Sequence, residues 1–362
     1  MLRPGFALAV TALVLGFAPP SASASHAPGT TVCHLADDRI TEASGLVASS
    51  RQDGVLFTHN DSGDSARFFA IGTDCTTRAT YVLPGVLATD WEDIARGPGP
   101  VLWLGDIGDN DARRASIAVH RVAEPTVPPA SAAPPTIELA STAFTLHYPD
   151  GAHDAETLLA DPRDGRLYVV TKTYDGHCAV YAAPAPLTDG ATLTKVDSLV
   201  IPPSIGGTSL PSLAGDLAVT AGDISPDGSR VVLRTYAAAF EATIPAATGP
   251  RLRAAYASGT PGTRVDLPAE EQGEAIAYSR DGRSLWLTSE KAHPPLDHVV
   301  AVASSPAPVA PPTSAAPIPP GVLQVPDDKP TSYYTYGGLG LAGAGVLLFA
   351  LRWFARRRPG RM

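Results

Sequence analysis

The stretch EAIAYSRDGRSLWLTSEKA, residues 274–292, decides the fold, because it joins two short apolar runs by a tight turn. The turn SRDG contains Asp-Gly, which is the strongest short-range signal for a β-hairpin. The flanking runs contain Ile, Leu, Trp and Tyr and have the length of buried strands. The stretch therefore predicts two antiparallel strands, with Glu274 at the start of the first strand and polar residues after the second.

Four other stretches follow the same pattern, so the hairpin is a repeating unit. They begin at Glu42, Glu92, Glu156 and Gly222, and their turns are RQDG, RGPG, PRDG and SPDG. When the turns are aligned, Thr220 falls where other units have glutamate. Further strand-like runs follow each hairpin and bring each unit to four strands, except that the last unit lacks its fourth.

Radial repetition of four short strands predicts an all-β fold, a β-propeller of four-stranded blades. We predict five blades, with six as the alternative because another blade could lie in Glu124–His147 or Ala182–Ala218. The run TTVCHL (30–35) would close the ring as the missing fourth strand of the last blade. We assign TIELASTAFTLHY (136–148) and RLRAAYA (251–257) to the strands that end the second and fourth blades.

The turns SPDG and SRDG, placed before VVL and LWL, resemble the repeats of WD40-like and YVTN-type bacterial propellers. The set DWEDIA, GDIGDND, DAETLL, GDISPDG and GEAIAY resembles uncharacterised exported bacterial propellers described as phytase- or esterase-like. This resemblance covers most of residues 38–303 and implies the propeller fold. Phytase-type propellers pair calcium carboxylates with Lys and Arg over the channel, and this chain has those residue types without a full family site motif.

Both ends of the chain have the character of targeting segments. Arg3, the apolar run 6–17 and an A-x-A site predict a secretory signal peptide over residues 1–24. Residues 334–354 are apolar and long enough for a single C-terminal transmembrane helix. The basic tail 355–362 would stay in the cytoplasm by the positive-inside rule. We therefore expect an exported protein that is anchored in the cell membrane with the propeller outside.

Residues 304–332 are rich in Pro, Ala and Ser without periodicity, which is typical of an extended stalk. The propeller ectodomain would then be residues 30–303. The net charge of −9 and the lack of basic stripes in the middle of the chain argue against nucleic-acid binding, and we expect a monomer. The three cysteines allow one disulfide outside the cytoplasm, with Cys33 and Cys75 as the candidate pair.

Polar side chains converge on one rim of the predicted propeller. The first strand of each blade lines the central channel, and its start lies at the same rim as the end of the second strand. Lys172 and Arg234 lie at such positions, with Thr220 or Asp223 expected beside Arg234. The acidic residues that we expect to bind a metal there are Glu42, Asp61, Glu92, Asp93, Asp106, Asp109, Glu156 and Glu274.

Carboxylates packed around one channel raise one another's pKa values and cannot all stay ionised without a cation. Oxygen ligands of this kind are those that calcium prefers, so we predict a Ca²⁺ site among these residues. The sequence contains neither an EF-hand loop nor an HExxH zinc motif. Each loop aspartate could equally be a turn-forming residue, because Asp suits tight turns.

Three functions fit this rim. The first is calcium-dependent binding of a small-molecule, protein or glycan ligand at the cell surface. The alternative is a calcium-dependent hydrolase of phosphate esters or lactones, in which Lys172 and Arg234 are the candidate catalytic residues that stabilise developing charge. The third is a glycosidase with paired carboxylates as acid and base. The absence of a G-x-S-x-G motif argues against a covalent hydrolase.

Overall fold

The computed structural model describes residues 25–26, 29–203, 215–246, 250–256, 259, 261–270 and 272–302. The predicted signal peptide (1–24), stalk (304–332), transmembrane helix (334–354) and basic tail (355–362) all lie outside these residues. No helix within the described ranges is both long and apolar enough to cross a membrane.

The strands form five blades of four main strands each, which confirms the all-β propeller with five blades for the described residues. The N-terminal strands are β1 (Ser25–His26) and β2 (Thr30–His34). Blade 1 contains β3 (Ala43–Ala48), β4 (Val55–Asn60), β5 (Arg67–Gly72) and β6 (Thr77–Val82). Blade 2 contains β7 (Trp91–Arg96), β8 (Val101–Asp106), β9 (Ile117–Ala123) and β11 (Ser141–His147).

Blades 3 to 5 repeat this order. Blade 3 contains β12 (Ala155–Ala160), β13 (Leu167–Thr171), β14 (His177–Ala182) and β16 (Thr194–Val200). Blade 4 contains β17 (Val219–Ile224), β18 (Arg230–Thr235), β19 (Ala239–Thr243) and β20 (Thr263–Val265). Blade 5 contains β21 (Gly273–Tyr278), β22 (Ser284–Ser289) and β23 (Pro295–Val302), with β1 and β2 on its outer edge.

The innermost strands of neighbouring blades contact one another around a closed ring. An apolar core fills the space between each pair of neighbouring blades; between blades 1 and 2, for example, Phe57 and Phe68 pack with Trp91. Burial of these side chains is the main driving force that holds the blades side by side. Since the ring is closed, the starts of all five innermost strands are fixed at one rim.

The N-terminal strand closes the ring as predicted. Strand β2 pairs antiparallel with β23 and so joins the first strand of the chain to the last blade. Cys33 in β2 forms a disulfide with Cys75, which lies in the turn between β5 and β6 of blade 1. This candidate pair therefore ties the closing strand to the neighbouring blade.

The prediction of one strand over residues 136–148 is wrong. The segment divides into β10 (Thr136–Glu138), which adds a fifth, parallel strand to blade 1, and β11 of blade 2. Packing explains the division, because Ile137 and Leu139 lie against the core between blades 1 and 2, whereas Leu146 lies in the core between blades 2 and 3. A second short strand, β15 (Ala191–Thr192), pairs parallel with β11 and extends blade 2 in the same way.

The prediction of a strand over residues 251–257 is also wrong. A short helix α1 (Leu252–Ala255) occupies this position, and β20 is the outer strand of blade 4 instead. Leu252 and Tyr256, four residues apart and thus on one helical face, are both buried in the core between blades 3 and 4. The intervening alanines have high helix propensity.

Candidate functional site

A repeated backbone feature places the glutamates at the rim of the channel. In blades 2 to 5, the innermost strand has a register shift of the β-bulge type just after its start. A bulge leaves one residue unpaired and re-aims its side chain. The residues at these shifts are Glu92, Glu156, Thr220 and Glu274, and all four are buried. Thr220, which aligns with the glutamates when the turns of the repeats are superimposed in sequence, thus also occupies the equivalent position in the structure.

The carboxylates of Asp61, Asp90 and Glu92 lie together and are called the acidic centre. One oxygen of each lies within 4.8 Å of the other two. Glu92 is only 2% exposed, and its Oε1 accepts no hydrogen bond from the residues that the structure describes. A Cβ atom built on Gly108 would overlap this oxygen and would lie 2.6 Å from Oδ2 of Asp90. Glycine at position 108 therefore leaves space beside the carboxylate oxygens of Glu92 and Asp90.

Burial and mutual repulsion perturb the acidic centre. Burial raises the pKa of Glu92 well above its usual value, and the charges of Glu156 and Asp61 raise it further. Burial also raises the pKa of Asp90 to about 6, with Asp61 again adding to the shift. A bound cation would reverse these shifts, because opposite charge favours the ionised carboxylates.

Lys172 lies beside the acidic centre and contributes one positive charge. Its Nζ donates hydrogen bonds to Oε1 of Glu156 and, over 2.9 Å, to the hydroxyl of Tyr236. The same atom lies 5.2 Å from the ring centroid of Tyr236 and 5.8 Å from that of Tyr174. Burial alone would lower the pKa of Lys172, but the charge of Glu156 holds it well above its usual value.

Glu274 completes the buried carboxylates of this rim. Its Oε1 accepts a hydrogen bond of 3.3 Å from the side chain of Gln272, which also donates to Glu290. Its Oε2 has no hydrogen-bond partner within the described residues. Burial, followed by the charges of Glu156 and Glu290, raises the pKa of Glu274 well above its usual value.

Arg234, a candidate catalytic residue, is fully buried and engaged in several contacts. Its Nη2 is paired with Oε2 of Glu270. Its Nη1 donates to the carbonyls of Ala275, over 2.7 Å, and Thr288, over 3.3 Å. These contacts connect blade 4 to blade 5.

The loop GDIGDND at the end of β8 is held in place by Arg114. The guanidinium of Arg114 pairs with Asp106 at 2.7 Å and donates to the carbonyl of Gly108, also at 2.7 Å. The carboxylate of Asp109 accepts the backbone N–H of Arg114, and its own N–H donates to Asp154. These contacts fix Gly108 over the acidic centre, so Asp106 and Asp109 position the loop.

Asp93 and Asp223 make the same type of contact at different depths of the channel, one and three residues after the bulge residue of their strands. Each accepts a backbone N–H from the next blade, Asp93 from Leu158 over 2.9 Å and Asp223 from Tyr278 over 2.8 Å. Of the two residues expected beside Arg234, Asp223 pairs with Val232 instead, whereas Thr220 lies at the bulge next to Ala221, which pairs with Arg234. Both carboxylates connect neighbouring blades.

Glu42 lies apart from the other first-strand glutamates. In blade 1 the register shift falls between Ala43 and Leu46, so Glu42 precedes it and is exposed. Its backbone N–H and carbonyl bond Asn60 and Asp61. Of the predicted metal ligands, the structure thus places Asp61 and Glu92 in the acidic centre, whereas Glu156 pairs with Lys172 and Glu274 lies with Gln272 and Glu290.

Sequence reasoning missed Asp90 and Asp154. Each precedes a bulge glutamate by two residues, in the tripeptides Asp90-Trp91-Glu92 and Asp154-Ala155-Glu156. A recurring D-x-E at the start of an innermost strand was therefore the signal for both. Arg114 had no comparable signal, because only the folded loop shows which carboxylates it contacts.

Comparisons with known proteins supply little beyond the fold. No protein-family profile matches the chain, and no curated protein matches it. Solved structures that match include a glutaminyl cyclase from Myxococcus xanthus, at 10% identity and a TM-score of 0.43, over 77% of this chain and 99% of that chain. The PQQ-bound aldose sugar dehydrogenase from Streptomyces coelicolor matches at 9% identity and a TM-score of 0.41, over 77% and 99% of the two chains.

A gluconolactonase from Xanthomonas campestris matches at 13% identity and a TM-score of 0.39, over 80% of this chain and 99% of that chain, and WD40 repeats are also similar. Likeness at these TM-scores carries no argument about activity. Function must therefore be argued from the side chains themselves.

Proposed function

We propose that the chain binds calcium at its acidic centre and, through the bound cation, recognises a ligand at the cell surface. The observation that carries this proposal is Oε1 of Glu92, a buried carboxylate oxygen without a hydrogen-bond partner in the described residues, on a side chain that lies together with Asp61 and Asp90. A buried carboxylate without a partner must either take up a proton or be compensated by a cation, and a cation among three carboxylates compensates all of them.

The donor set favours calcium over softer metals. Asp61, Asp90 and Glu92 offer only carboxylate oxygens, which are the ligands of Ca²⁺ and Mg²⁺. Calcium accepts loose geometry and keeps positions for water or for ligand oxygens. Tyr174, which is 39% exposed beside Lys172, offers an accessible aromatic surface to a ligand on the same rim.

A second candidate function is calcium-dependent hydrolysis of phosphate esters or lactones. The position of Lys172 favours it, since a protonated amine lies next to the acidic centre. A bound calcium ion would polarise a substrate oxygen. Lys172 would then stabilise negative charge that develops on the substrate. Arg234 is less suited to this role, because it is fully buried and paired with Glu270.

Calorimetric titration of the purified full-length chain with Ca²⁺ tests the proposal. Wild type is expected to bind one ion, and Glu92→Gln is expected to weaken binding about 100-fold, because it removes a charged ligand. Asp111→Asn is the matched control, since Asp111 is an exposed carboxylate of the loop GDIGDND, and its one ion pair within the described residues is with Arg113. Absence of calcium binding in wild type, or equal loss in both variants, would contradict the proposal.

Hydrolysis can be tested separately. A screen of phosphate esters and lactones with and without chelator, on wild type and Lys172→Met, should show turnover only with calcium and Lys172. Lys195→Met is the control, as Lys195 is half-exposed on blade 3. Calcium binding without turnover would support the ligand-binding function alone.

Membrane anchorage is tested by removing residues 334–362. The full-length chain is expected in the membrane fraction and accessible to external protease. The truncated chain is expected in the medium. Recovery of the full-length chain in the cytoplasm would contradict the proposed location.

A further inference from the structure

A cavity of about 720 Å³ opens at the end of the channel opposite the acidic centre. The first hairpin of every blade contributes to its wall, through Arg51, Pro98, Pro162, Pro226 and Arg280 in blades 1 to 5. We call this end of the propeller the hairpin face. Four prolines, the three named above and Pro100, make the wall rigid, because the pyrrolidine ring fixes the backbone φ angle. The volume is that of a small-molecule site.

Two arginines give this cavity unused hydrogen-bond donors. Arg96 is 8% exposed, and within the described residues its guanidinium donates only one hydrogen bond, of 3.2 Å, to the carbonyl of Ala48. It forms no ion pair there at contact distance, although its charge lowers the pKa of the buried Asp223 against the effect of burial. The exposed side chain of Arg51 likewise makes no ion pair or hydrogen bond within those residues. A guanidinium carries five N–H donors in a planar fork, so both residues can bond a further acceptor.

The acidic groups of the cavity wall are engaged in local contacts. Asp53 pairs with Arg280 at 2.6 Å. One oxygen of Asp281 accepts hydrogen bonds from the hydroxyl of Ser279 and the backbone N–H of Arg283. Arg51 and Arg96 therefore supply positive charge to this wall in a protein whose net charge is −9.

We propose that this cavity binds a small organic oxyanion, a phosphate or a carboxylate, through Arg51 and Arg96. Planar guanidinium groups recognise both anions by paired N–H···O bonds. The rigid proline wall limits the size of the molecule, and Arg96 fixes the anion at the inner end of the cavity. This site lies at the other end of the channel from the acidic centre, so it does not depend on calcium binding.

Titration of the full-length chain with inorganic phosphate and with citrate, in the presence of chelator, tests the proposal and distinguishes the two anions. Wild type is expected to bind at least one of them. Arg96→Gln and Arg51→Gln should each weaken binding about tenfold, the usual effect of losing a charge-assisted hydrogen bond. Arg51→Lys should recover only part of the affinity, because an ammonium lacks the planar fork.

Arg113→Gln is the matched control, because Arg113 is exposed at the other rim, two residues after the loop GDIGDND. Circular dichroism establishes whether the buried variant Arg96→Gln folds. If it does not, the comparison of Arg51→Gln with Arg51→Lys decides, because Arg51 is exposed. Failure of wild type to bind either anion overturns the proposal, as does equal loss with Arg113→Gln. Glu92→Gln should leave anion binding unchanged, which separates this outcome from failure of the calcium site.

Discussion

On the hairpin face, the carboxylate of Asp227 accepts hydrogen bonds from the hydroxyl of Ser225 and from the N–H and hydroxyl of Ser229. At the opposite rim, Oε1 of Glu92 accepts none from the described residues. The pKa values follow this difference. Burial raises the pKa of Asp227, but these hydrogen bonds lower it to about 2, whereas burial and like charges raise that of Glu92 well above its usual value.

The comparison shows that local acidic density does not identify a cation site. The Asp-Gly hairpins and the loop GDIGDND are both acidic in sequence, and the carboxylates of both are engaged in local contacts, Asp227 within its own turn and Asp106 with Arg114. The acidic centre differs because a buried oxygen of Glu92 accepts no hydrogen bond within the described residues. The same substitution of a carboxylate by an amide should therefore have opposite effects at the two ends of the channel.

The largest expected effect is the loss of a hairpin-face carboxylate. Asp161 is 1% exposed and pairs with the buried Arg251 at 2.7 Å. Asp161→Asn leaves that guanidinium without its counter-charge, which should lower the free energy of unfolding by about 3–5 kcal/mol. Urea unfolding measures the change. Asp164→Asn in the same hairpin, a more exposed residue, should cost less than about 1 kcal/mol, and similar losses in both variants would contradict the role of burial.

The second prediction is steric. Gly108→Ala places a methyl group against Glu92 and Asp90 without removing a charge. Calcium affinity should fall about 100-fold, because the ligand oxygens can no longer close on one ion. Gly215→Ala adds the same methyl group at ordinary contact distance from Tyr236 and should leave affinity unchanged. Unchanged calorimetric affinity in Gly108→Ala would place the cation elsewhere.

Most of the fold was predictable from local signals. Each hairpin lies within some twenty residues, so the Asp-Gly turns and apolar runs specify four strands per blade and the register of the first pair. The segments that failed, residues 136–148 and 251–257, depend on contacts between blades. Ile137 and Leu252 are placed by cores to which distant strands contribute.

The site was predictable only in part. Repetition indicated that Glu92, Glu156 and Glu274 are equivalent, but it did not show that a bulge aims each into the channel. Whether a charged side chain already has a partner also depends on distant residues. The charge of Arg234, for example, is compensated by Glu270, which lies thirty-six positions away. No pattern of spacing in the sequence connects these two residues.

The third prediction concerns calcium-free protein. Because Glu92 is buried without compensation, Glu92→Gln should raise the free energy of unfolding in chelator at pH 8 by on the order of 1–3 kcal/mol. This sign is opposite to that expected for Asp161→Asn. Thermal unfolding with and without calcium measures it, and wild type should gain stability from calcium while the variant should not. A destabilised variant in chelator would mean that Glu92 has a structural partner.

The smallest expected effect is the pH dependence of calcium binding. Because burial raises the pKa of Asp90 to about 6 and raises that of Glu92 well above its usual value, the cation-free site takes up protons that calcium must displace. Below about pH 6, affinity should fall about tenfold per pH unit for each proton that calcium displaces. The raised pKa values also mean that the folded cation-free protein binds protons that the unfolded chain releases. Its stability should therefore decrease as pH rises from about 4 through 6. Calorimetry in buffers of different ionisation enthalpy counts the released protons, and pH-independent affinity without proton release would show that the acidic centre is already ionised.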